Sequence, residues 1–190
     1  MAMAPVTRGE SPPQGSIAFV DMNIIPMDQE RVLRHQTLLV KDGVILALGP
    51  SDSIKVPEDA KRIGGQPDDY LVPGLADMHV HVQQEDDLSL YVANGVTTLL
   101  HMGNAPTGFV KGVSRDIAAG KLVGPRMFFG FLVDGSDEYG FFFVTQPEQA
   151  RGLVRLAKTN GYAFIKVYNH ISAPVFDALV DEGRKLGWPL

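Results

Sequence analysis

His79 and His81 stand two residues apart in Pro73-Gly74-Leu75-Ala76-Asp77-Met78-His79-Val80-His81. Their apolar neighbours (Leu71, Val72, Leu75, Ala76, Val80, Val82) predict a strand over 71–82, buried on both faces. Side chains alternate along a strand, so Asp77, His79 and His81 are expected on one face. Two neutral imidazoles so placed can bind one divalent cation through ring nitrogens. Asp77, in line with them, could orient a ligand or hydrogen-bond the backbone nearby. The alternative is a histidine pair in a solvated loop. Metal is favoured, because unpaired polar groups in an apolar strand are costly.

Lys166 is the second unusual residue, set among Phe164, Ile165 and Val167. Burial of an amine favours its neutral form and opens covalent chemistry. Reaction with carbon dioxide would give a carbamate, an anion able to bridge two metal ions. A snorkelling lysine, a buried ion pair and a Schiff-base lysine compete with that reading. Tyr168 and His170 follow at two-residue steps and would line the same mouth if strand geometry persisted. Tyr168 is a candidate hydrogen-bond donor to substrate or transition state. His101 ends a predicted strand and could line the pocket, whereas His35 reads as a surface residue. The loop 134–143 carries Tyr139, Phe141, Phe142 and Phe143, which could wall a substrate pocket or pack against a neighbouring loop.

The elements that must position these residues change character along the chain. Residues 1–15, with Pro5, Gly9, Pro12, Pro13 and Gly15, read as a disordered lead-in. Residues 16–70 read as a small β subdomain of sandwich-like type, with strands at 17–25, 35–40 and 44–49 and a turn at Asp42-Gly43. The polar stretch 51–69 follows. From residue 71 to 190 strand and helix alternate, which implies parallel βα units. Strands are expected at 71–82, 96–101, 126–133 and 163–168, with helices near 87–94 and 108–120 between the first three. Thr145-Gln146-Pro147-Glu148 fits a capping box opening a helix with Ala150, Leu153, Val154 and Ala157 on one face. Ser172 would cap a last helix with Phe176, Leu179, Val180 and Gly183 on one face, and Trp188-Pro189-Leu190 would begin a fifth strand. A closed eight-unit barrel takes about 250 residues. The rhythm therefore fits either an open four-stranded sheet or half of a barrel.

Composition narrows the function classes. Apolar residues make up 45% and charged residues 21%, ordinary for a globular protein with a core. The net charge of −5 and the lack of a basic block argue against nucleic acid and anionic membrane as partners. With no cysteine, ligands must be histidine, carboxylate or modified lysine. No apolar run approaches a membrane span and the start lacks a signal-peptide core. A cytoplasmic location is expected, or export after removal of a leader.

The segment Pro73–His81 resembles the Pro-Gly-Leu-x-Asp-x-His-x-His motif of the amidohydrolase superfamily, and a small β subdomain precedes it as in that family. Gly95-Val96-Thr97-Thr98 and Gly124-Pro125-Arg126 are also similar to the family. Phe164-Ile165-Lys166-Val167-Tyr168 resembles strand four of its imidazolonepropionase-related branch, which includes metal-dependent peptidases and prolidase-like enzymes. The likeness covers residues 16–190 and corresponds to the N-terminal half of the family fold. It implies a (β/α)8 TIM-type barrel with its site at the C-terminal ends of the strands. It implies His79 and His81 as ligands of one Zn2+ and carbamylated Lys166 bridging to a second. Further histidines from strands five and six and an aspartate from strand eight are implied beyond residue 190.

The function these readings favour is hydrolysis of an amide, peptide or cyclic amide C–N bond by a metal-activated hydroxide. Esters, lactones and phosphotriesters would need the same apparatus. The alternative is an inactive barrel fragment, or a chain that needs a second polypeptide to complete the site. Expected partners are a small-molecule or short-peptide substrate, and either further copies of this chain or the remaining barrel half.

Overall fold

The structure, a computed structural model, describes residues 15–66, 68–139 and 142–188. All of the expected lead-in except Gly15 lies outside the described residues. The chain divides into two units between Pro73 and Gly74.

The first unit contains β1 (Ser16–Ile24), β2 (Leu33–Lys41), β3 (Val44–Pro50), β4 (Lys61–Gly64) and β5 (Tyr70–Leu71). Asp42 and Gly43 turn the β2–β3 hairpin with φ of 49° and 74°, the paired left-handed geometry that matches strand twist. The strands form one five-stranded sheet in the order β3-β2-β1-β4, with β5 also paired to β1. The described residues of this first unit thus form a single sheet in place of the expected sandwich. β1–β2 and β2–β3 are antiparallel, whereas β4 and β5 run parallel to β1. Ala18, Leu39 and Ala60 make its small core. β4 was not expected within 51–69, because Lys61-Arg62-Ile63-Gly64 is exposed throughout and carries no alternating pattern.

The second unit is βα repeats: β6 (Leu75–Val80), α1 (Asp87–Ala93), β7 (Val96–His101), α2 (Thr107–Ala118), β8 (Arg126–Val133), α3 (Pro147–Thr159), β9 (Phe164–Val167) and α4 (Ala173–Lys185). The strands form a parallel sheet in the order β6-β7-β8-β9. Parallel pairing in sequence order puts all four C-terminal strand ends along one rim. β6 begins later than expected because Pro73 has no N–H for a ladder, and Tyr70–Leu71 pairs in the other sheet.

Helices cover one side of this sheet through apolar stripes. On α3, Ala150, Val154 and Ala157 recur at helical spacing and pack in one cluster with Phe131, Val133 and Ile165 of the sheet and Val175, Ala178 and Leu179 of α4. Each fully buried valine or leucine there contributes roughly 1.5–3 kcal/mol. A second cluster joins Val80, Val82, Leu88, Leu99 and Val113.

The helix starts differ from expectation. The N-cap of α3 is Gln146, not Thr145, and Gln149 reaches back to accept the Thr145 and Gln146 N–H groups, each at 3.1 Å. Pro147 occupies the first turn, which displaces the box by one residue. Ser172 is the N-cap of α4 but makes no side-chain cap bond. The buried face of α4 is Val175, Ala178, Leu179, Glu182 and Gly183, leaving Phe176 46% exposed. Glu182 could not be read as core from sequence; Arg155 of α3 neutralises it at 2.5 Å. Trp188 is not in a strand, and Pro189 and Leu190 lie outside the described residues.

Candidate metal centre

The histidine segment is built by contacts between β6 and β7. Leu75 N–H donates to the Gly95 carbonyl at 2.8 Å. A Cβ on Gly74 would fall 2.1 Å from Thr97 Oγ1, so the Pro-Gly-Leu and Gly-Val-Thr-Thr segments fit only with glycine at the contact. Asp77 pairs with Leu99 and Val80 with His101, three residues against two, which marks a bulge. The Asp77 carboxylate accepts the His79 N–H at 3.1 Å and fixes that bulge. Of the two roles expected for Asp77, the structure gives it the backbone one.

After the bulge the alternation is clean. Val80 and Val82 are buried while His79 and His81 are exposed on the other side. The strand is therefore buried on one face, not two; Leu75 and Met78 are each 56% exposed. The rings of His79 and His81 lie 5.5 Å apart between centroids. His81 Nδ1 lies 3.1 Å from the Gly103 carbonyl, which makes Nδ1 the protonated nitrogen and leaves the Nε2 lone pair free.

His101 has a different place. It is fully buried, its Nε2–H donating to the Val82 carbonyl at 3.0 Å and its Nδ1 accepting the Gly103 N–H at 3.2 Å. Burial pushes its pKa below the ordinary histidine value; the Val82 bond opposes this and neighbouring His81 reinforces it. With both nitrogens committed, His101 supports the carbonyl and loop that orient His81. It also lines a small cavity with Gly103, Phe131 and Tyr162.

Lys166 stands in β9 opposite Leu132, half-buried, and no ion pair among the described residues includes it. Strand geometry does not persist to His170. β9 ends at Val167, Tyr168 N–H still reaches the Val133 carbonyl at 3.0 Å, and His170 lies in the following turn. The residue that holds His170 is Asp134, which sequence reasoning did not single out. Asp134 is fully buried and its Oδ1 accepts the Gly135 and His170 N–H groups, both at 2.7 Å. Its Oδ2 lies 3.1 Å from His170 Nδ1. Burial alone would push the Asp134 pKa up, but hydrogen bonds from the His170 backbone and ring and from Gly135 outweigh it and hold the pKa below the ordinary value. The signal available in sequence was an aspartate closing the apolar run Phe131-Leu132-Val133 just before a glycine.

In the aromatic loop, Tyr139 packs on Tyr168 and His170. Phe142 stacks on Phe131 at 4.6 Å, Phe143 is 57% exposed, and Phe141 lies outside the described residues. Among the described residues no group of three or more histidines and carboxylates is arranged to hold a metal. The donors present still fit one: two adjacent imidazoles, one with its tautomer set by a carbonyl, and an unpaired lysine in the same parallel sheet.

No family model matches the chain. An enamidase of Eubacterium barkeri is 34% identical over 82 residues, 38% of this chain and 21% of the enamidase. A protein of Bifidobacterium longum assigned as a prolidase superposes with a TM-score of 0.79 and 23% identity, covering 93% of this chain and 49% of that one. Molinate hydrolase superposes with a TM-score of 0.78 and 21% identity, covering 92% of this chain and 52% of that one. The chain thus spans about a fifth of the enamidase and about half of each solved structure. In fold, the chain resembles about half of each of these solved structures, and two amidohydrolases superpose on it with a TM-score of 0.72 each.

Proposed function

We propose that this chain supplies the histidine pair and the bridging lysine of a binuclear zinc hydrolase acting on an amide, peptide or cyclic amide C–N bond. The observation that carries the reading is the His81–Gly103 bond, which presets one imidazole with its Nε2 free beside His79. A carbonyl-bound Nδ1–H is the usual support of a ligating histidine. When bound, zinc polarises a carbonyl and acidifies water. His79 and His81 would hold one ion. The Lys166 amine, adding to carbon dioxide and losing a proton, would give the carbamate anion that spans both. Tyr168, just beyond Lys166, would donate a hydrogen bond to the substrate carbonyl. In the whole protein the four βα units would be the first half of a (β/α)8 barrel, which the coverage of the solved relatives supports.

The test is zinc content by elemental analysis together with turnover of a panel of N-acyl amino acids, dipeptides and cyclic amides. Wild type should hold zinc and hydrolyse at least one member; His79→Asn, His81→Asn and Lys166→Met should lose both. Turnover that survives these substitutions and removal of metal by a chelator would overturn the reading.

A further inference from the structure

The Asp134–His170 pair lies on the rim that carries Lys166, because β8 and β9 pair in parallel through Val133 and Val167, and both residues follow those strand ends. His170 Nδ1 faces two oxygens, Asp134 Oδ2 and Ser136 Oγ, each at 3.1 Å. Asp134 is an ionised acceptor, so in the neutral imidazole the proton resides on Nδ1 and Nε2 keeps its lone pair. The side chain of His170 is 46% exposed while that of Asp134 is not exposed at all, so the carboxylate fixes the ring and the ring meets solvent. The Tyr139 ring lies parallel to the imidazole, 2° between planes at 6.4 Å, and 5.4 Å from the Tyr168 ring. The loop that carries Tyr139 also exposes Asp137 and Glu138. The rim therefore offers a ring nitrogen, two phenol rings and exposed carboxylates, a combination that attracts a cation when the imidazole is neutral.

We propose that Asp134 is the positioning residue for His170, and that His170 Nε2, with the faces of Tyr139 and Tyr168, forms a subsite for a substrate ammonium group. The site would select substrates that carry a free amine close to the bond to be cut, and would disfavour a free carboxylate at that place. Gly135 is part of the device: a Cβ there would fall 1.7 Å from the His170 carbonyl oxygen, so the two loops close only over glycine. The inference rests on the hydrolase reading for its meaning, but its test reads binding and needs neither metal nor turnover.

The experiment is a titration of the isotopically labelled full chain with glycinamide, which carries an ammonium, and with neutral N-acetylglycinamide, followed by the ring signals of Tyr139 and His170. Glycinamide should shift both saturably, and N-acetylglycinamide should bind about tenfold more weakly. Nitrogen shifts should show His170 protonated at Nδ1. His170→Phe keeps a ring to stack on Tyr139 and removes the acceptor together with the Nδ1–H bond to Asp134; its melting temperature should fall, and the folded variant should bind glycinamide about tenfold more weakly as read at Tyr139. Equal affinity for the two probes, a proton on Nε2, or full affinity in His170→Phe would each overturn the proposal. Failure of the hydrolase reading would show separately, as absence of metal-dependent turnover.

Discussion

His81 Nδ1 and the carbonyl oxygen of Gly103 are 3.1 Å apart, a bond between the end of β6 and the loop after β7 that decides which histidine nitrogen is free. Gly103 can present that carbonyl because its φ is +86°, and because a Cβ there would lie 2.5 Å from the Leu132 Cβ. Gly103→Ala should therefore destabilise the fold by roughly 2–4 kcal/mol, combining left-handed strain with overpacking. It should also weaken zinc binding at neutral pH. Urea unfolding and a zinc titration check the two effects. A variant as stable as wild type would contradict the close-approach account.

Gly74 and Thr97 form a second such contact, between the Pro-Gly-Leu segment and β7. Gly74→Ala should cost roughly 2–4 kcal/mol by overpacking. The added methyl would meet Thr97 Oγ1, Cγ2 and Cβ at 2.1, 2.4 and 2.8 Å, so Thr97→Ala removes two of the three contacts. The double variant should then be more stable than the sum of the singles by about 1 kcal/mol or more. Additive losses in a double-mutant cycle would place the strain elsewhere.

How far these relationships were legible in sequence depends on the range of the cause. β8 was read at its observed bounds because Arg126–Val133 is an apolar run closed by loop signals on both sides. The Asp42-Gly43 turn was equally local. β4 was not legible, since its exposed residues owe their strand to pairing with β1 and not to any pattern of their own. The histidine pair was found by spacing, but the bulge that Asp77 closes onto the His79 N–H depends on register against β7. Asp134 was invisible because the ring it holds lies 36 residues further along the chain. The buried status of His101 was missed for the same reason, its partners being carbonyl and amide groups of other segments.

Acid should act through Asp134. Its folded pKa is depressed below 3.8, so the stability it contributes is fully present above the unfolded carboxylate value and is lost as pH falls through the folded one. Unfolded chain binds the proton first, and stability rises with pH across that interval. Asp134→Asn should be less stable at neutral pH by roughly 1–3 kcal/mol, because the His170 and Gly135 N–H groups lose an ionised acceptor. It should also show a shallower fall in stability below about pH 4. Chemical unfolding at pH 7 and across the acid range measures both. An unchanged acid slope in the variant would show that other carboxylates set it.

His101 distinguishes support from ligation. Both ring nitrogens are used by backbone groups, so a side chain able to donate to the Val82 carbonyl and accept from Gly103 N–H could replace it. Glutamine carries one donor and one acceptor at a comparable reach, and His101→Gln should cost only about 1 kcal/mol. Leucine offers neither and leaves a buried carbonyl and amide unpaired, so His101→Leu should cost roughly 2–4 kcal/mol. Zinc affinity of the folded His101→Gln protein should match wild type, since the Gly103 carbonyl that sets His81 stays in place. A direct ligand would behave in the opposite way: glutamine, a poor zinc donor, would lower affinity sharply while sparing the fold. The pair of measurements, unfolding energy and zinc affinity on the same variant, therefore separates the two roles in one experiment.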